Sequence, residues 1–190
     1  MAHRVFIAIN LPTDIRNKLY IHRDEYPELP ARWTKRENLH LTLLFLGHTT
    51  DQELPEICQT VQEIAKKHAP FFLEFNKITY APPGKEVPRM VWAEGKPSKE
   101  LTRLQSDLET AFFEGQPGAS GKKEISDFNP HITLARLKEW EFRKIEPDEV
   151  PQVDKEISLG FSVESIEVME SELGKQGPEY TILESAPLLS

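Results

Sequence analysis

The chain has a single cysteine, Cys58, so an intramolecular disulfide is excluded and a thiolate metal cage lacks ligands. In DQELPEICQTVQEIAKKH the residues Leu54, Ile57, Cys58, Val61, Ile64 and Ala65 recur at helical spacing, which makes Cys58 a small packing residue rather than a nucleophile. Long apolar runs are missing too: nothing approaches the roughly 20 residues that cross a bilayer. The N-terminal MAHRVFIAINLPTD holds only a short apolar stretch ending at Asn10, so neither a membrane span nor a signal peptide is expected, and the chain reads as cytoplasmic. Positive charge is in deficit, with 23 Lys plus Arg against 31 Asp plus Glu and a net charge of −8. That balance argues against a protein that coats long nucleic acid, and a phosphate ligand would need a local basic pocket. What is present is ordinary for a folded domain: 38% hydrophobic, 9% aromatic and 28% charged residues, with no low-complexity tract. At 190 residues the chain is read as one domain, 1–190, built of two lobes sharing a core.

Periodicity supplies the elements. RVFIAI reads as a buried strand, followed by a helix with Thr13 as its cap and Asp14 in its first turn. ARWTKRENLHLTLLFLGH runs from a basic loop into a strand stopped by Gly47, the Cys58 helix follows, and FFLEFNKITYAP alternates as a strand. The order then restarts. RMVWAEG reads as a strand, PSKELTRLQSDLETAFF as a helix capped by Ser98 with Leu101, Leu104, Leu108 and Phe112 on its buried stripe, EGQPGASGKKEISD as a loop, and HITLARL as a strand. A strand pattern in ISLGFSVESIEVMES and a final strand at YTIL complete the chain. Aligning Phe6 with Trp92 and His40 with His131 matches the two halves element for element. The expected fold is therefore α+β and bilobal with a pseudo-two-fold repeat: two small antiparallel sheets backed by helices, with a cleft between the lobes.

Matching strands of the repeat carry matching chemistry. His40-Leu41-Thr42-Leu43 (40–43) and His131-Ile132-Thr133-Leu134 (131–134) are each His-apolar-Thr-apolar, which on a strand puts His and Thr on one face and the aliphatic pair on the other. Related by a two-fold axis, the four polar side chains converge on one cleft. Two imidazoles there supply a base and an acid near neutral pH, and two hydroxyls donate hydrogen bonds to non-bridging phosphate oxygens, which fits phosphodiester hydrolysis. His-x-Thr lacks the second His or carboxylate of usual metal spacings, so no metal and no cofactor are expected. His3, His22, His48 and His68 read as surface or packing residues, and Trp33, Trp92 and Trp140 chiefly as core.

NLHLTLLFLG and FNPHITLARL resemble the paired signatures of the 2H phosphoesterase superfamily. With RVFIAINLP, RWTKRENLHLTLLFLG, MVWAEG and MESELGKQGPEYTIL in the same order, nearly the whole chain resembles the RNA 2′,3′-cyclic phosphodiesterases, also called LigT-like 2′-5′ RNA ligases. The resemblance implies a site between two lobes and metal-independent opening of a terminal 2′,3′-cyclic phosphate to a 2′-phosphate, with a reverse 2′-5′ ligation. It makes His40 and His131 the proton-transfer pair and Thr42 and Thr133 phosphate ligands. An arginine three residues beyond the second threonine also contacts phosphate in that family, and Arg136 stands there. His131 is assigned as the base for water and His40 as the acid toward the 3′-oxygen, although the sequence does not separate these roles. Strict alternation would turn Arg136 to the opposite face from Thr133 unless the strand ends or bulges after Leu134. Arg32, Lys35 and Arg36 precede the first motif as a positive rim or, equally, as an exposed basic loop, and are not counted as site residues.

Expected partners are RNA termini or small cyclic phosphate nucleotides, with no membrane and no obligate protein partner, the chain acting as a monomer. Two alternatives stay open: a hydrolase of 2′-5′-linked oligonucleotides or small cyclic nucleotide phosphates, and a non-catalytic module that grips RNA ends. An aromatic side chain to stack the terminal base is expected, without a residue to name.

Overall fold

A computed structural model describes residues 2–85, 87–113, 128–175 and 177–189; the loop EGQPGASGKKEISD, residues 114–127, lies outside them. The elements are β1 (Ala2–Asn10), α1 (Thr13–Tyr20), β2 (Ala31–Trp33), β3 (His40–Thr50), α2 (Leu54–Ala65), β4 (Phe71–Ala81), β5 (Met90–Gly95), α3 (Lys99–Phe113), β6 (His131–Leu137), α4 (Glu139–Phe142), β7 (Asp154–Val163), β8 (Ser165–Gly174) and β9 (Gly177–Pro187).

The strands form two antiparallel sheets with orders β3-β1-β8-β9 and β2-β6-β5-β4-β7. Setting aside the short edge strand β2, the orders correspond position for position. A histidine-bearing strand (β3 or β6) lies beside the strand that opens its half (β1 or β5), which lies beside a strand contributed by the other half (β8 or β4). The first half thus lends β4 to the second sheet and the second half lends β8 and β9 to the first, which ties the sheets together. Val5, Ile7, Ile9, Leu41 and Leu43 of the first sheet share one apolar cluster with Leu73, Phe75, Val91, Ala93, Ile132 and Leu134 of the second. Leu41 and Ile132, the aliphatic residues inside the two His-x-Thr units, have no exposed surface. At about 25 cal/mol per Å² of apolar area, seating these undersides is what holds the polar faces outward.

The pairing registers carry the repeat to single residues. Along β1 and β3, Asn10 is opposite His40, Ala8 opposite Thr42, Ile7 opposite Leu44 and Phe6 opposite Phe45, with Leu43 as the extra residue of a bulge. Along β5 and β6, Glu94 is opposite His131, Trp92 opposite Thr133, Val91 opposite Ala135 and Met90 opposite Arg136, with Leu134 as the extra residue. The same bulge occurs at the same place in each half. By this register Ala8, not Phe6, is the counterpart of Trp92, so the sequence alignment of Phe6 with Trp92 is two residues out. An unbroken apolar run such as RVFIAI offers no landmark to align on.

Local readings differ at a few points. Pro12 occupies the cap position of α1 with no side-chain cap bond, and Thr13 is already helical. Ser98 does cap α3, accepting the Leu101 amide hydrogen at 3.2 Å. Gly47, at φ +82°, lies inside β3 rather than ending it, because the antiparallel pairing with β1 continues to Thr50. The basic segment before the first motif contributes β2, and ISLGFSVESIEVMES is two strands broken at Glu164. Among the described residues, no helix is long and apolar enough to cross a membrane.

Candidate active site

β3 and β6 approach one another where the two sheets meet. His40 and Thr42 from one, and His131 and Thr133 from the other, are each partly buried. The matching bulges add Phe45 and Arg136 to this constellation. Each bulge places two consecutive residues in the core, Leu43 with Leu44 and Leu134 with Ala135, so the next residue emerges on the same face as the threonine. Alternation alone sends Arg136 the wrong way, and the bulge after Thr133 is the reason it lies on the same face as Thr133.

Both imidazoles are held in one way. His40 Nδ1 donates to the Asn38 carbonyl at 2.7 Å, and His131 Nδ1 donates to the Asn129 carbonyl at 3.0 Å. A carbonyl only accepts, so the proton of the neutral ring is fixed on Nδ1 and Nε2 is left with its lone pair. At His40 that lone pair accepts a hydrogen bond from the Thr42 hydroxyl at 3.0 Å. The asparagine side chains brace the turn: Asn38 Nδ2 donates to the Pro178 carbonyl at 2.7 Å, and Asn129 Nδ2 donates to Glu94 Oε1 at 3.1 Å. Asn-x-His-x-Thr is common to both halves, in NLHLT and NPHIT, and this shared asparagine is the signal that reading from the histidine onward missed.

Aromatic rings back both histidines. Trp92 stacks on His131 with centroids 3.7 Å apart and planes at 19°. His40 lies 5.1 Å from Phe6 and 5.2 Å, edge on, from Tyr180 of β9. Among the described residues the buried Trp92 indole N–H meets no acceptor, a cost of about 1–3 kcal/mol, while its face supports the imidazole. Phe45 stands at the rim, 66% exposed and 6.0 Å from Phe6. Both lie in segments that carry the family resemblance but outside the His-x-Thr units: Tyr180 comes from the far end of the chain, and the bulge that re-aims Phe45 leaves no mark in the sequence.

Burial lowers the pKa of both histidines. At His40 the nearby charges of Arg136 and His131 lower it further, whereas at His131 Glu94 pulls the other way. Arg136 and His131, both on β6, are thus near enough to His40 on β3 for their charges to bear on it. Burial also raises the pKa of the Tyr180 phenol, against the opposing charges of Arg136 and Arg4. Among the described residues, no group of three or more His, Cys, Asp or Glu side chains is placed to hold a metal ion. The remaining histidines are elsewhere occupied: His22 bonds Glu25 at 2.9 Å, His68 bonds Asp107 at 2.9 Å, and His3 lies between Asp51 and Glu170 at 2.7 and 2.5 Å. His48 is exposed.

The sequence profile of the 2′-5′ RNA ligase superfamily matches residues 13–175, which include both His-x-Thr strands. The chain belongs to that superfamily. It is an enzyme of the 2H phosphoesterase kind, similar at 33% identity over 97% of its length to the RNA 2′,3′-cyclic phosphodiesterase of Thermus thermophilus, 90% of which is covered. It is 30% identical to the protein of the same name from Aquifex aeolicus, over 83% of this chain and 81% of that one. Among solved structures, TT0787 of Thermus thermophilus superposes with a TM-score of 0.77 at 31% identity, covering 97% of both chains. E. coli LigT complexed with 3′-AMP superposes with a TM-score of 0.74 over the full length of both chains; at 23% identity it speaks for the fold alone.

Proposed function

We propose that this 2H enzyme opens a terminal 2′,3′-cyclic phosphate on RNA to a 2′-phosphate monoester, with His40 and His131 as the proton-transfer pair. The observation that carries the reading is the pair of imidazoles anchored alike at Nδ1, with Nε2 turned from the backbone and, at His40, met by the Thr42 hydroxyl, on strands in contact with one another. The relatives named RNA 2′,3′-cyclic phosphodiesterase support the substrate class. Water attacks phosphorus as one imidazole takes its proton, the P–O3′ bond breaks, and the other imidazole protonates O3′. Thr42 and Thr133 donate to the non-bridging oxygens and Arg136 offsets their charge. Phe45 offers its exposed ring to the terminal base, and stacking of that kind needs no base identity. Run backward, with an RNA 5′-hydroxyl in place of water, the same pair forms a 2′-5′ bond. The test is an RNA oligonucleotide ending in a 2′,3′-cyclic phosphate, incubated with excess chelator. The expected product is the 2′-phosphate, formed at an unchanged rate; binding without turnover would reduce the protein to an end-binding module.

Neighbouring charges act differently on the two histidines. Burial lowers both pKa values; Arg136 and His131 push His40 further down, while Glu94 opposes the lowering at His131. A bound phosphate offsets Arg136, which lets His40 carry the proton it needs as acid toward O3′, with His131 as base. NMR titration of the imidazoles is expected to show both titrating below the usual 6.5, with His40 moving upward when phosphate is added. The sign follows: folded-state pKa values depressed below 6.5 mean that protonation opposes folding, so stability falls as pH drops through that range. A His40 that titrates at or above 6.5 in the free protein would contradict the lowering that burial and Arg136 impose.

A further inference from the structure

The edge strand β2 pairs with β6 so that Ala31 is opposite Leu137, Arg32 opposite Arg136 and Trp33 opposite Ala135. Directly opposite residues on antiparallel strands share a face. Trp33 and Ala135 turn into the core, with Trp33 stacked on Tyr26 at 6.4 Å, and Arg32 and Arg136 emerge together on the other side. Arg136 acts electrostatically on His40 and Tyr180 of the opposite sheet, so that side is the cleft.

Two like charges directly opposite on neighbouring strands destabilise a sheet. This chain has acidic residues to spare, and other exposed arginines use them: Arg23 pairs with Asp24 at 3.1 Å and Arg89 with Glu139 at 3.1 Å. Among the described residues, neither Arg32 nor Arg136 has a carboxylate partner, and the one recorded contact of either guanidinium is Arg136 Nη1 to the Met90 sulfur at 3.8 Å. Arg36, four residues on from Arg32, is already bonded to Asn17 Oδ1 at 3.3 Å. What resolves an unpaired arginine couple facing a cleft is an anion.

We propose that Arg32 is a second phosphate-binding arginine, acting with Arg136 on the non-bridging oxygens of the phosphate that is opened; this rests on the cyclic phosphodiesterase reading of the site. The charge of the reaction fits two guanidiniums better than one. The cyclic diester carries one negative charge, while hydroxide-like attack and the resulting monoester carry nearly two. A second fixed cation therefore stabilises the transition state and product more than the substrate, and such a differential raises kcat.

The experiment uses a nucleoside 2′,3′-cyclic monophosphate, which has no phosphate except the reacting one, alongside a cyclic-ended oligonucleotide. Arg32→Ala is expected to lower kcat/KM on both by about 10–100-fold, chiefly through kcat, with Arg32→Lys restoring part of the loss. Binding of inorganic phosphate, read by calorimetry, is expected to weaken in parallel. Unchanged turnover of the mononucleotide with unchanged phosphate binding would overturn the proposal. A loss confined to the oligonucleotide would overturn it too, because it would place Arg32 on an upstream RNA phosphate. Absence of turnover of both substrates by the wild-type protein would instead defeat the functional reading, and the phosphate titration would then decide Arg32 on its own.

Discussion

Replacing either His40 or His131 by alanine is expected to lower kcat/KM for a 2′,3′-cyclic phosphate by about 10²–10⁴-fold, the range that general acid or base catalysis contributes. Each imidazole is bonded at Nδ1 to its own strand entry, so its removal leaves the partner ring still anchored and the fold intact. Loss of the His131 ring also uncovers the face of Trp92, against which it stacks at 3.7 Å. His131→Asn is therefore the companion variant, with a melting curve to separate lost chemistry from lost packing. The double variant is expected to be scarcely worse than either single one, since a base without its acid has no path to product. A tenfold or smaller effect in both single variants would place proton transfer on other groups. Purely additive losses would show that the two rings act independently rather than on one phosphorus atom.

Removal of the Arg136 guanidinium should cost about 10²–10³-fold in kcat/KM, as expected of a charge aimed at an oxyanion. The register makes Phe45 its counterpart in the other half, so one device, a bulge after threonine, presents a cation from one sheet and an aromatic ring from the other. The two positions should therefore fail differently. Arg136→Ala lowers kcat with substrates of any size, because the phosphate oxygens gain charge only as the ring opens. Phe45→Ala raises KM by the equivalent of about 1–3 kcal/mol of stacking and leaves kcat near its original value, while Phe45→Trp retains affinity. Steady-state kinetics on a cyclic-ended dinucleotide and on a cyclic phosphate that bears no base separate the two. A Phe45→Ala variant with unchanged KM on the dinucleotide would remove the stacking role, and an Arg136→Ala variant with unchanged kcat would remove the electrostatic one.

Much of this site is legible in the chain. His40, Thr42, His131 and Thr133 announce themselves because strand alternation has a period of two, and a polar-apolar-polar-apolar tetrad repeated in both halves is unlike a random solvated face. The asparagines that anchor the histidines are equally readable two residues upstream. Arg136 is legible only through family resemblance, since its alternation points away. Phe45, Tyr180 and Arg32 fall within segments that carry the family resemblance, but nothing there assigns them to the site: one is re-aimed by a bulge, one arrives from a strand 140 residues beyond His40, and one sits on a three-residue strand too short to show a period.

Local chemistry, then, is what the amino-acid order determined: which strands exist, which faces are greasy, and which imidazoles and hydroxyls travel together, all of which depend on the neighbours of each residue along the chain. Pairing decided the rest. The exchange of β4 and β8 between sheets, the common bulge, and the placing of Arg32 beside Arg136 depend on hydrogen-bond registers between segments remote in sequence. A register is chosen by burying both sheets' apolar faces at once, a condition that no single stretch of sequence states.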